Sequence, residues 1–371
     1  MSGKFSFKKV IIFAGSYVAT VIGSGFATGQ EIMQFFSFFG IAGLITCFIA
    51  WFLFAILGAE ALYRGSQTRP KDVMKIYTLY TGKYIGIFLD WFVPAFLFAV
   101  LVIMISGAGA TLSEYYGLHP YVGRVAMAVL AFASVSFGLD RLSGILGSIG
   151  PVIIVFTIFV GTVSLINNYG SINEAMEFVR HAQVAKPAPN AVVSGVLYAS
   201  YNIIMVVGFL AGLGATTKNK KETIYGGILG ATALMVAAGV MYLAILAQAP
   251  ELFGKKIPTL VLADQISPWI GKAFSVVLML GIFSTAAPLL WQCANRFSED
   301  GTKKFRLLSL VFAIGGLIGG FLPFDKLVGT VYPYTGYLGI IIMILIAVKV
   351  YRLKQAGKTG EEEMKAIEGR D

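Results

Sequence analysis

Val21-Ile22-Gly23-Ser24-Gly25-Phe26-Ala27-Thr28-Gly29-Gln30-Glu31 decides how this chain is read. The segment lies in the middle of an apolar stretch running from residue 10 to 37. A membrane-crossing helix needs about 20 apolar residues, so the stretch is overlong. It is weakest as a helix at its midpoint, because each glycine costs about 1 kcal/mol relative to alanine in a helix interior. Gly23, Gly25 and Gly29, followed at once by Gln30 and Glu31, predict a backbone that unwinds at membrane depth. Unwound backbone in a bilayer persists only where protein buries it or where it lines a watery cavity. Such a break marks the binding site in many secondary transporters. Close helix packing through small residues is the competing explanation. The excess length and the polar residues that follow favour unwinding.

The rest of the chain agrees with a membrane setting. Hydrophobic residues make up 57 % of its 371 residues, only 13 % are charged, and the mean hydropathy is +0.78. This excludes a soluble domain with a single anchor and predicts an all-α polytopic membrane protein. Cys47 and Cys293 both fall in apolar runs, which argues against a disulfide framework and against a zinc site. The apolar run after Lys4, Lys8 and Lys9 is too long for the core of a cleavable signal peptide. A net charge of +10 would suggest nucleic acid for a soluble protein. Here it fits cytoplasmic loops facing anionic lipid, and no nucleic-acid partner is expected.

Ten spans are predicted, at about 10–37, 39–63, 87–113, 121–139, 144–168, 191–214, 223–247, 268–294, 305–322 and 326–350. With both termini cytoplasmic, only seven of the 29 Lys and Arg residues fall outside: Arg124, Arg180, Lys186, Lys255, Lys256, Lys272 and Lys326. That asymmetry follows the positive-inside rule and supports a multi-pass protein of the cell membrane. Lys71 to Tyr80 puts Val73, Ile76, Tyr77 and Tyr80 on one helical face, as in a cytoplasmic interfacial helix. Ser171 to Ala182 reads as an external amphipathic helix, and Glu251 to Pro268 as a short external cap. The transmembrane domain covers 1–357, and the charged tail, 358–371, reads as disordered.

Ten spans divide into five and five, about 10–168 and 191–350. An odd number of spans per half gives the halves opposite topologies, the arithmetic of an inverted repeat. The sixth span should then be interrupted like the first. Ser200, Tyr201 and Asn202 put polar groups at the corresponding depth. Bonds between helices are the other use for them.

The glycine-rich run Gly23-Ser24-Gly25-Phe26, ten spans and a polar sixth span together resemble the LeuT-fold transporters of the amino acid–polyamine–organocation superfamily. Over about residues 8 to 350 the chain looks most like the bacterial YkvI-like membrane proteins. The resemblance implies a LeuT-like 5+5 inverted repeat with helices 1 and 6 interrupted and a small-molecule substrate between their halves. Gly23, Ser24, Gly25, Phe26, Gly29 and Glu31, with Ser200, Tyr201 and Asn202, would line that site. The start of the second half-helix would face a carboxylate. Where the family is sodium-coupled, the resemblance puts the ion between carbonyls near Ala19 and Ile22 and a stretch of helix eight, here Gly281 with Ser284 and Thr285. Proton-coupled relatives carry a lysine in helix five. Pro151 to Leu165 has none, which tips the expectation to sodium. No organic cofactor is implied. Gln30 and Glu31 depart from the well-known amino acid transporters.

Glu31 is the acidic residue set well inside a span, a functional candidate by position. It could hold a substrate amine, carry a coupling proton or anchor an external gate. A carboxylate paired for structure in the outer vestibule is the plain alternative. For Ser284 and Thr285 the plain alternative is bonding back to the preceding turn. Tyr332-Pro333-Tyr334 reads as an interfacial aromatic belt, with an external gate as the rival. Glu60, Asp90 and Arg141 read as topology residues near cytoplasmic ends, or as an internal gate. The sequence thus predicts a secondary active transporter, sodium-coupled, of a small amino acid or related zwitterion. The alternatives are proton coupling through Glu31, or a membrane receptor that senses a nutrient without moving it. No metal cluster and no nucleophile–base pair of recognisable spacing suggests an enzyme.

Overall fold

Apolar runs longer than the bilayer is thick leave the backbone one way to satisfy its polar groups, the α-helix. The structure, a computed structural model, describes residues 5–136 and 140–369, the side chains of 140–150 excepted. Lys4, Arg370 and Asp371, the end of the fourth expected span and the Arg141 side chain lie outside the described residues.

The helices run α1 (Phe7–Val21), α2 (Ser24–Ala27), α3 (Gln30–Phe35), α4 (Gly43–Thr68), α5 (Lys75–Thr81), α6 (Lys83–Tyr116), α7 (Pro120–Ser136), α8 (Asp140–Asn168) and α9 (Ile172–His181). They continue as α10 (Ala191–Gly214), α11 (Lys220–Ala247), α12 (Ala249–Leu252), α13 (Pro258–Ile266), α14 (Pro268–Asn295), α15 (Lys303–Gly319), α16 (Phe324–Gln355) and α17 (Glu361–Glu368). A 3-10 segment, Ser37–Ala42, joins α3 to α4. Among the described residues, seven stretches are long and apolar enough to cross a membrane, those containing α4, α6, α8, α10, α11, α14 and α16. The first expected span is split over α1–α3, and α7 and α15 have 17 residues each.

The packing has the symmetry of two exchanged halves. α1 lies against α11 as α10 lies against α4, and α6 packs on α7 as α14 packs on α15. α4 meets α11, and α6 meets α14, across the divide. Glycine brings α4 and α10 into backbone contact: a methyl group on Gly65 would overlap the Ala211 carbonyl, and one on Gly214 the Leu62 carbonyl.

Three expectations are corrected. First, the sixth span is not interrupted: α10 is continuous over 24 residues. Its polar side chains are satisfied without unwinding. Ser200 Oγ donates to the Gly336 carbonyl of α16 at 2.7 Å, and Asn202 Nδ2 to the Tyr198 carbonyl at 2.9 Å. Second, the tail is not structureless. α17 packs on α5, Arg64 donates to the Thr359 carbonyl, and Lys349 pairs with Glu363. Third, α5 begins after Val73 and tucks under the bundle. Its Tyr77 hydroxyl donates to the Ile204 carbonyl at 2.5 Å, and Val73 is exposed. Helices α9, α12 and α13 form at the places where external helices were expected in the sequence.

Candidate functional site

The break is built from two adjacent interruptions. The helical bonds of α1 end at Ile22 N to the Val18 carbonyl and resume at Ala27 N to the Gly23 carbonyl. Ile22 and Gly23 between them are extended. A second interruption falls at Gly29, whose φ of 79° is the left-handed region where a side chain is strained. Gly29 is also a close approach, since a methyl group there would stand 2.6 Å from Thr259 Cγ2. Helix α13 supplies the donors the broken segment lacks. Thr259 N donates to the Thr28 carbonyl at 3.1 Å, and Thr259 Oγ1 to the Ala27 carbonyl at 2.8 Å. On the inner side Ser24 N points at Met104 Sδ of α6 at 3.3 Å, while Ser24 Oγ is buried without a partner.

Glu31 folds back over this break. One carboxylate oxygen lies 2.0 Å from where a methyl group on Gly25 would be, so any side chain there would push the carboxylate aside. The other accepts a hydrogen bond from Tyr201 Oη at 2.7 Å. The Tyr332 hydroxyl is a further hydrogen-bonding neighbour. The Tyr201 and Tyr332 rings stack with centroids 4.5 Å apart and planes 4° from parallel. Phe35 and Tyr198 close the cluster, each with its ring centroid 5.7 Å from that of Tyr201. Glu31 is 3 % exposed and forms no ion pair with a described residue. Below it, Gln34 Nε2 donates to the Asp325 carbonyl at 3.0 Å, tying α3 to α16.

A second group of oxygens lies on the other side of the break. The last turn of a helix leaves its carbonyls without helical donors, which frees those of Ala19 and Ile22 at the end of α1. Thr285 Oγ1 stands 3.4 Å from the Ile22 carbonyl and 3.3 Å from that of Gly281, too far for a strong hydrogen bond to either. Ser284 Oγ donates to the Gly281 carbonyl at 2.8 Å. Pro288 inside α14 removes the donor that the Ser284 carbonyl would have had. All these donors are neutral oxygens. They fit a hard monovalent cation better than a divalent one or a transition metal. No cluster of three acidic, His or Cys residues occurs among the described residues.

The anticipated residues therefore separate. Gly25, Glu31 and Tyr201 come together, as do Ile22, Gly281 and Thr285. Ser200 and Asn202 spend their donors on α16 and on their own helix. The half-helices after the break have four and six residues. They sum too few peptide dipoles to make the strong positive end that a carboxylate ligand would seek. Tyr332 leaves the aromatic belt for the core, while its neighbour Tyr334 is exposed. Tyr198, Met104 and Thr259 carry no site signal in the sequence, since an aromatic residue, a Met or a Thr in an apolar helix is ordinary filling, and Tyr332 reads there only as a belt residue or an external gate. Glu60 pairs with Arg64 at 2.7 Å, with the Tyr80 hydroxyl 3.4 Å away.

No protein-family model matches the chain. In sequence it is 23 % identical over 324 residues to the uncharacterized membrane protein YkvI of Bacillus subtilis, covering 87 % of this chain and 91 % of that one. Its fold superposes on MhsT, solved in complex with L-phenylalanine, with a TM-score of 0.65 at 17 % identity, over 92 % of this chain and 89 % of that one. A substrate-bound, outward-open Na+-coupled sialic acid symporter gives the same TM-score at 12 % identity, over 92 % and 78 % of the two chains. The first of these is a membrane protein and the last a Na+-coupled symporter. The chain is a membrane protein of the LeuT fold and a relative in sequence of the YkvI-like membrane proteins.

Proposed function

We propose that this protein is a secondary active transporter of the cell membrane, with cytoplasmic termini, that couples sodium entry to uptake of a small amine-bearing solute by alternating access. Amino acids and related zwitterions are the starting candidates. One observation carries the reading: a single helix break has neutral oxygens of α14 on one side and a buried acid facing α10 and α16 on the other. Ala19, Ile22, Gly281, Ser284 and Thr285 would hold the ion. Gly23, Ser24, Gly25, Phe26, Gly29, Glu31 and Tyr201 would hold the solute. Coupling requires both ligands to favour the same conformation, since a ligand that binds two states equally shifts neither. Sharing one break gives them that common element, because ordering Ile22 and Gly23 for the ion also orders Gly25 beneath Glu31. The hydrogen bonds from Thr259 would close the outer side of the site.

Proton coupling through Glu31 is the second reading, favoured by the absence of an ion-pair partner for that carboxylate among the described residues. Proteoliposomes separate the two. Solute uptake driven by an inward sodium gradient at equal pH supports sodium coupling. Uptake driven by a pH gradient in sodium-free buffer supports the proton. Binding without exchange of solute across the membrane would reject both in favour of a receptor.

A further inference from the structure

We propose that an anionic phospholipid binds this protein in a basic cavity at the corner between α5 and α6, its phosphate held by Lys83 and Arg352. The cavity measures about 550 Å3 and lies between α5, the start of α6, the last turns of α16 and the tail helix α17. Four cations from three helices line it: Lys75, Lys83, Lys349 and Arg352. Two acids among the described residues line it too, Asp90 and Glu363, so its wall carries a net charge of +2, four cations less two acids. Glu363 pairs with Lys349. Lys83 and Arg352 have no ion-pair partner among the described residues. Folding thus gathers like charges from distant parts of the chain into one cavity, and a bound anion would offset their repulsion. The start of α6, which has no side-chain cap, borders the cavity and adds its N–H groups to the two side chains. The surroundings say what the anion is attached to. On α6, Lys83 is followed by Tyr84, Ile87, Phe88 and Trp91, all exposed. On α16, exposed Ile344 and Val348 precede Lys349 and Arg352. Both helices are long and apolar enough to cross a membrane, and a change from apolar to basic along them marks the depth of the headgroups. Ile87, Leu345 and Val348 give the cavity an apolar wall on that side. A soluble phosphate has no use for such a wall, whereas an acyl chain would lie along it. Basic pockets between membrane helices hold phospholipid headgroups in this way. The proposal goes beyond the transport reading and is tested by binding alone. The orientation proposed above puts the cavity in the cytoplasmic leaflet.

Native mass spectrometry of the purified full-length protein in neutral detergent reads the binding. Phosphatidylglycerol and phosphatidylcholine of the same chain length are the probes. The parent should retain one phosphatidylglycerol at a concentration tenfold or more below that needed for phosphatidylcholine. Lys83→Gln combined with Arg352→Gln should remove that preference, and each single variant should weaken it. Both residues are exposed, so the variants should melt within a few degrees of the parent. Lys303→Gln combined with Lys304→Gln makes the same change of charge at exposed positions on α15 and should keep the preference. Glycerol phosphate and inorganic phosphate, each in large excess, should not displace the lipid. Equal retention of the two lipids by the parent overturns the proposal, as does a full preference in the Lys83→Gln, Arg352→Gln variant. Equal losses in the two double variants overturn it in favour of diffuse surface charge. Displacement by either soluble anion overturns the lipid in favour of a soluble phosphate. Solute uptake in proteoliposomes is read separately, so failure here leaves the transport reading standing, and failure there leaves the lipid site.

Discussion

The first and sixth spans occupy corresponding places in the two halves, yet one is broken twice and the other runs unbroken through 24 residues. Both carry polar residues at mid-depth. The first has Ser24, Thr28, Gln30 and Glu31, and the sixth has Ser200, Tyr201 and Asn202. Polarity therefore does not break a membrane helix. Hydroxyl and amide side chains in α10 find carbonyls of their own helix and of α16, and the backbone stays helical around them. What separates the spans is the backbone their glycines take: Gly23 is extended and Gly29 left-handed in the first, whereas no glycine of α10 has a positive φ. Gly25 lies under a carboxylate, and Gly29 takes a left-handed φ against Thr259. Gly208 in α10 has a negative φ and no neighbour closer than 3.4 Å to an added methyl.

The most severe test of this contrast is Gly25→Ala. The methyl would displace the Glu31 carboxylate. Overpacking costs about 1–3 kcal/mol, and loss of a hydrogen bond to a charged group about 1.5–3 kcal/mol. Thermal melts should show a large drop that Glu31→Ala partly restores in the double variant. Independent, additive losses would mean that the two residues do not touch. Gly29→Ala comes next, at about 1–2 kcal/mol for the left-handed backbone alone, with further loss from the contact with Thr259. The matched Gly208→Ala should be neutral or stabilise by up to about 1 kcal/mol. If the two glycines respond alike, the contrast between the spans fails.

Thr285→Val probes the ion side of the break. It should leave the sodium-free melting temperature within a few degrees of the parent and remove most of the sodium-induced rise. A variant still stabilised fully by sodium would take the ion elsewhere. The smallest effect is expected from Asn202→Ala, about 0.6 kcal/mol, typical of a polar contact within a membrane. A loss of ligand response there, comparable with that of Gly25→Ala, would restore α10's polar residues to the site.

Much of the fold was legible because its signals are local. Apolar length sets a span, Lys and Arg bias sets the expected orientation, and Gly23 and Gly29 mark the interruptions to within a residue. The candidate site was legible only in part. Glu31 stood out because an acid at membrane depth is rare, and Ser284-Thr285 because the family resemblance points to that stretch of helix eight, just before Pro288. Tyr332 read as a belt residue because its ring is equally at home at an interface. Only the packing of α16 on α10 turns it inward. The tail read as disordered from its charge, yet Arg64 and α5 hold it from positions far away in the chain, and Lys349 pairs with it from the preceding helix.

By itself, the sequence determined a polytopic helical membrane protein with its first span broken at Gly23 and Gly29. Apolarity and the missing Cβ are properties of the residues themselves, present before any tertiary contact forms. Tertiary structure alone decided that the sixth span stays whole, that Thr259 holds the broken segment, and that Glu31 faces Tyr201 rather than a cation. The physical reason is that a buried polar group is satisfied by whichever partner the packing brings near. For Glu31 that partner lies 170 residues along the chain.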